Sequence, residues 1–287
     1  MKYIMSLFCL SIAFVQFGCS KNDTETIGTN AAVSAKIFNL PYGSDPKQQF
    51  DIYLPANRSS STTKLMIMIH GGGWTLGDKT DFTDYIVTLQ NMLPDYAVVN
   101  INYRLASGIY NRFPTQENDI KTAIDFIYAN RGTYHYSDKF VLLGASAGAH
   151  LALLQAYKYN SPVKAKAVVD FFGPTDMVQM YNNPAPFAPR DSIASVMGAT
   201  PAVNPALYSS SSPINYVNAQ SPPTIILQGG ADILVQPTQS STLRDKLTLN
   251  AVINQYVFYP TENHGWVGAN LSDSFDKIKA FLTANVQ

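Results

Sequence analysis

Short apolar-rich runs recur along the chain at residues 64–69, 96–101, 140–143, 164–172 and 223–228. Runs of this length, rich in Val, Ile and Leu and bounded by Gly, Pro or polar residues, suit strands buried on both faces of a sheet. Between them the period changes. After Pro114, Ile120, Ala123, Ile124 and Ile127 recur at the spacing of one buried helical face, and further helices are predicted at about 78–92, from 147 onward, at 238–249 and at 271–285. A last strand is predicted at 251–259. Strands alternating with helices predict an α/β fold with a mostly parallel, twisted sheet covered on both faces. Residues 34–40 and 50–54, joined through Pro41-Tyr42-Gly43-Ser44-Asp45-Pro46, predict an antiparallel edge.

Residues 174–213 break this rhythm. They carry prolines at 184, 186, 189, 201, 205 and 213 and serines at 209–212, with a regular period only near 192–197. A long irregular excursion inside a compact domain is usually functional. It is expected to form a partial cap, with Met177, Met180, Tyr181 and Phe187 as candidate pocket walls. Each of them could equally pack down on the core.

At 287 residues and 46% apolar content the chain can bury one large core. Lysine plus arginine and aspartate plus glutamate both number 20, which leaves no excess charge to attract nucleic acid. No metal-ligand spacing, cofactor fingerprint or internal repeat is visible. Oligomeric state is not legible.

The first 18 residues begin with Lys2 and continue through an apolar core too short for a comfortable membrane span, which predicts an export signal. Gly18-Cys19-Ser20 resembles a bacterial lipoprotein cleavage site, although Gln16 and Phe17 depart from it. The expectation is a lipidated Cys19, a polar tether over 19–33 and one folded domain over 34–287, held at the periplasm or cell envelope by the lipid alone.

The chemistry centres on Gly144-Ala145-Ser146-Ala147-Gly148, which follows an apolar strand and opens a helix. A serine on so tight a turn is pushed out at the sheet's C-terminal edge, and glycines suit positions where the turn presses on its neighbours. The N–H of Ala147, at the new helix's start, is available to an oxyanion. His70-Gly71-Gly72-Gly73-Trp74 also follows a strand, and its glycine N–H groups, Gly71 or Gly72, are the expected second half of an oxyanion hole.

A serine hydroxyl needs a base, and the base an orienting carboxylate. Ser146, Asp232 and His264 each follow a predicted strand, in the order Ser, Asp, His. Asp170 and Asp176 are alternatives for the acid. His70, His135 and His150 are the other histidines, in the glycine loop, a polar turn and the helix after Ser146.

With these motifs, Tyr42-Gly43, Asp51-Ile52-Tyr53-Leu54-Pro55, Asn102-Tyr103-Arg104-Leu105 and His264-Gly265-Trp266, the chain resembles bacterial α/β-hydrolase esterases from about Tyr42 onward. It is similar to hormone-sensitive-lipase-like carboxylesterases and to acetyl-xylan and feruloyl esterases. The resemblance implies cofactor-free hydrolysis of carboxylic esters through an acyl-enzyme, with Ser146 as nucleophile, His264 as base, Asp232 as its orienting acid, and small-molecule or oligosaccharide esters as substrates. Trp74 and Trp266 join the candidate pocket. Ala149 stands where many relatives have glycine, and no long N-terminal helical cap precedes the first strands. An amidase or peptidase on the same triad and a non-catalytic binding protein are the competing readings.

Overall fold

The computed structural model describes residues 30–287. The expected signal at 1–18, Cys19 and all but the end of the 19–33 tether lie outside the described residues. The chain runs through β1 (Ala35–Pro41), β2 (Gln49–Leu54), β3 (Lys64–Ile69), α1 (Thr83–Met92), β4 (Tyr96–Ile101), α2 (Thr115–Ala129), α3 (Arg131–Tyr134), β5 (Phe140–Ala145) and α4 (Ala147–Lys158). It continues through β6 (Ala167–Phe171), α5 (Met177–Asn182), α6 (Arg190–Met197), α7 (Pro205–Ser210), β7 (Thr224–Gly229), α8 (Pro237–Leu249), β8 (Asn254–Tyr259) and α9 (Ala269–Asn285).

Among the described residues the strands form one sheet in the order β1-β2-β4-β3-β5-β6-β7-β8. β1 and β2 are antiparallel to their neighbours, while every pairing from β4 to β8 is parallel. This is the α/β-hydrolase fold. The two-residue period of a strand explains why continuous apolar runs were needed. In β3, Leu65, Ile67 and Ile69 join the core under α2, α4 and α8, while Met66 and Met68 join the core under α1 and α9.

Residues 174–213 are more regular than their sequence suggests. They hold α5, α6 and α7 and lead into a 3-10 turn at Pro213–Tyr216. Several prolines begin helical turns instead of interrupting them. Pro205 and Pro213 each lie in the first turn, and the Asn204 side chain caps α7 by accepting the Leu207 N–H. Proline costs little there because the first N–H groups of a helix lack intrahelical acceptors.

Candidate active site

The turn after β5 is held in a conformation that non-glycine residues rarely adopt. Ser146 has φ 55° and ψ −123°. Its N–H donates to Phe171 O at 2.8 Å, and its carbonyl accepts from the His150 N–H at 3.0 Å. Packing accounts for both flanking glycines: a Cβ at Gly144 would lie 2.4 Å from Gly148 backbone, and one at Gly148 would lie 2.0 Å from Ile69 O. β5 and α4 can approach β3 this closely only because both side chains are absent.

The loop after β3 is shaped by its carbonyls. The Tyr103 hydroxyl donates to the carbonyl pair of His70 (3.0 Å) and Gly71 (3.3 Å), and Gly71 O also accepts from His70 Nδ1 at 2.8 Å. Gly72 O accepts the Thr75 and Leu76 N–H groups. In a trans peptide the N–H points opposite to the C=O. With three successive carbonyls tied back, the N–H groups of Gly71, Gly72 and Gly73 are turned away from those partners, and all three glycines line the cavity that holds Ser146. Gly72 and Gly73, at φ 101° and 57°, make the curl possible. The N–H of Ala147, first residue of α4, has no intrahelical acceptor. Gly73 therefore joins Gly71, Gly72 and Ala147 as a candidate oxyanion donor, one that sequence reasoning left out.

Tyr103 is the prop of this loop, and only its hydroxyl reaches both carbonyls. Tyr103→Phe should lower kcat by roughly 10-fold with little change in KM, because the loop loses its pin rather than a donor to the substrate. Steady-state kinetics on one activated ester, with a thermal melt alongside, measure this.

His264 and Asp232 meet across two loops. His264 Nδ1 lies 2.8 Å from Asp232 Oδ2, to which Gln228 Nε2 also donates at 3.1 Å. Asp232 Oδ1 accepts the N–H groups of Leu234 and Val235, each at 2.8 Å. Four donors thus fix the carboxylate, and the accepting oxygen fixes the imidazole with its proton on Nδ1, leaving Nε2 to face chemistry. Gln228 is anchored in turn by Ser240 Oγ, which donates to its Oε1 at 2.7 Å. Gln228 carried no signal in the sequence.

The other candidates have different work. His150 is fully buried: its Nδ1 accepts from Trp74 Nε1 at 3.2 Å and its Nε2 donates to Ser211 O at 2.7 Å, so neither nitrogen is free for catalysis. Burial pushes its pKa down to about 4, and it ties the glycine loop to the segment after α7. His70 is stacked on Tyr103, ring centroids 4.3 Å apart, and burial lowers its pKa. His135 closes α3 at φ 57°. Asp176 caps α5, accepting the Gln179 N–H at 2.9 Å.

Asp170, at the end of β6, is buried and accepts the Gly173 N–H at 2.8 Å. Burial pushes its carboxyl up to about 7. A folded-state pKa raised above the unfolded value means that the native protein keeps a proton which the unfolded chain releases. Stability from this group therefore falls as pH rises from about 4 through about 7. Asp170→Asn, which keeps the acceptor for Gly173, should lose that dependence, its midpoint gaining on the parent's by on the order of 5 °C between pH 5 and pH 8. Thermal melts at the two pH values check it; parallel curves would contradict it.

Ser146 and His264 line one cavity of about 530 Å³, with the glycine loop, Trp74, Met180, Phe187, Ile193, Val196, Leu234 and Val235. α5, α6 and the loop between them therefore supply part of its wall. Two expected pocket residues do not reach it. Met177 and Tyr181, four apart on α5, share the face packed toward the core. Met177 is 1% exposed, with its N–H bonded to Ser212 Oγ, and Tyr181 meets Tyr208 edge-on at 5.9 Å. Trp266 is also displaced. Gly265, at φ 102°, turns the chain after His264, and Trp266 lines a separate aromatic cavity with its Nε1 bonded to Ser274 Oγ. Phe187 is a rim residue, 69% exposed.

The family described as BD-FAE matches residues 50–247, more than half of the chain. Esterase LipQ of Mycobacterium tuberculosis is 27% identical over 259 residues, covering 83% of this chain and 59% of LipQ. Among solved structures, a bifunctional GH43-CE protein of Bacteroides eggerthii is 27% identical with a TM-score of 0.77, covering 88% of this chain and 35% of its own. A truncated carbohydrate esterase from gut microbiota, 23% identical with a TM-score of 0.75, covers 89% and 98% and is alike in fold. The chain thus spans less than two thirds of LipQ and about a third of the GH43-CE protein.

Proposed function

The chain belongs to the BD-FAE family, and we propose that it hydrolyses carboxylic esters through an acyl-enzyme. The observation that carries this reading is that His264, held 2.8 Å from Asp232, lines the same cavity as Ser146, a serine at φ 55°. Ser146 Oγ attacks the ester carbonyl while His264 Nε2 takes its proton. The tetrahedral oxyanion accepts N–H groups from the glycine loop and Ala147. On collapse, His264 returns the proton to the departing alkoxide, and a water repeats the cycle on the acyl-serine.

The substrates are short acyl or aryl-acyl esters of carbohydrates. Support comes from relatives named as an esterase, a bifunctional GH43-CE protein and a carbohydrate esterase, and from a cavity with an open aromatic rim at Phe187. The enzyme is exported and held at the cell envelope through a lipid on Cys19, a reading supported by Lys2, the apolar stretch after it and Gly18-Cys19-Ser20. The test is hydrolysis of p-nitrophenyl acetate, methyl ferulate and an acetylated xylo-oligosaccharide by the full chain. Turnover of acetyl or feruloyl esters is expected. Failure on every ester, with cleavage of the matching anilides, would transfer the site to amide substrates.

A further inference from the structure

Behind the Ser146 cavity lies the second one, about 230 Å³ and walled by Phe82, Tyr85, Leu89, Phe171, Trp266 and Phe275. Proposing ester hydrolysis leaves it without a role. The two cavities share three lining residues, Gly71, Ala145 and Phe172. A glycine and an alanine contribute almost no side chain, so the only bulky group common to both walls is the Phe172 ring.

That ring is kept at a cost. Phe172 has φ 47°, where a glycine would sit without strain and a bulky residue sits with about 1–3 kcal/mol of it. The conformation is held from both sides: the Phe172 N–H donates to Leu227 O at 2.9 Å, and the next N–H, of Gly173, donates to Asp170. The ring packs between the His264 imidazole, 4.4 Å between centroids, and Trp266, 5.4 Å and edge-on. Backbone geometry alone favours glycine here, so the reason for phenylalanine lies in what the ring separates.

The catalytic geometry orients the ester with respect to this wall. The departing alkoxide must be protonated by His264, which lines the larger cavity and not the aromatic one. The alcohol therefore lies in the larger cavity. The acyl group, on the other side of the carbonyl carbon, is directed toward the Gly71–Ala145–Phe172 wall. We propose that the aromatic cavity is an extension of the acyl site, separated from it by the Phe172 ring, and that this ring sets the length of acyl chain the enzyme accepts. The occupant, once the ring is removed, is the distal part of a medium-length aliphatic acyl chain. The proposal rests on the esterase reading, which its test separates.

Phe172→Gly, compatible with φ 47°, and the milder Phe172→Leu open the wall to different extents. kcat/KM is measured for p-nitrophenyl butyrate and octanoate, and for ethyl and hexyl acetate. Each methylene newly buried is worth about 4-fold, so the octanoate-to-butyrate ratio should rise at least 10-fold in Phe172→Gly and by less in Phe172→Leu. The hexyl-to-ethyl acetate ratio should stay within about 2-fold. A general loss from disturbing His264 lowers all substrates together and leaves both ratios where they were. Unchanged ratios in both variants would overturn the proposal, and a rise confined to the alkyl acetates would overturn its acyl assignment. Calorimetric binding of octanoate and butyrate to the full-chain protein and to both variants is independent of turnover. Tighter octanoate binding in the variants is expected even if the parent cleaves no ester, in which case the esterase reading fails alone; unchanged binding would remove the cavity claim.

Discussion

Replacing Ser146 with alanine is expected to lower kcat/KM by on the order of 10⁴-fold or more while moving the thermal midpoint by no more than about 2 °C. The two halves of this expectation have separate causes. Activity collapses because the attacking atom is gone, and what remains is binding plus the oxyanion donors. Stability hardly changes because the strain at φ 55° belongs to the backbone, which alanine bears as serine does, and the Ser146 side chain makes no hydrogen bond that holds the turn. Ser146→Gly should therefore be equally inactive but more stable, by roughly 1 kcal/mol, since glycine adopts positive φ freely. Ser192 lines the same cavity; if it were the nucleophile, Ser146→Ala would keep most of its turnover.

Asp232→Asn is expected to lower kcat on the order of 10⁴-fold with the fold intact. The carboxylate accepts four hydrogen bonds and donates none. An amide can still accept the Leu234 and Val235 N–H groups with its oxygen, but its NH₂ then confronts two donors, Gln228 Nε2 and His264 Nδ1. The imidazole resolves the conflict by moving its proton to Nε2, the nitrogen that must be free to take the serine proton. Single-turnover rates on p-nitrophenyl acetate measure the effect. A loss below about 10-fold would require another acid, and neither Asp170, under Gly173, nor Asp176, capping α5, contacts His264.

The parts of the molecule that could be read from the sequence are those in which one local constraint dictates residue type. The run at 140–143 had to be apolar because both faces of β5 are covered, and Gly144 and Gly148 had to be glycine because a Cβ would overlap backbone. The loops bearing Asp232 and His264 follow strands, so their shared edge was predictable from order alone. Properties that depend on packing between distant segments were hidden. Met177, Met180 and Tyr181 look alike as apolar residues in a proline-rich stretch, and all three pack on the core, but only the folded position of α5 shows that Met180 also lines the cavity while Met177 and Tyr181 do not. Trp266 follows His264 by two residues, yet a single glycine at positive φ puts it in another cavity. Strand boundaries shifted for a similar reason: residues 251–253 were expected in β8, but Ala251, at φ 55°, still belongs to the turn after α8. Tyr103 props the oxyanion loop from the end of another strand, a contact between distant segments, whereas Gln228 braces the acid from the strand that leads to it, four residues upstream, where a lone glutamine in an apolar run gave no hint of that role.

Hydrolysis through an acyl-enzyme requires that Ser146 Oγ form a covalent bond to the substrate's acyl group. The most direct measurement is intact mass and peptide mapping after treatment with an alkyl fluorophosphonate, which traps an activated serine. The expected result is one phosphonyl group per chain, on the peptide containing Ser146, appearing in step with loss of esterase activity and absent from Ser146→Ala. Complete inactivation with the label on a different residue, or sustained ester hydrolysis by a fully labelled Ser146, would contradict the account.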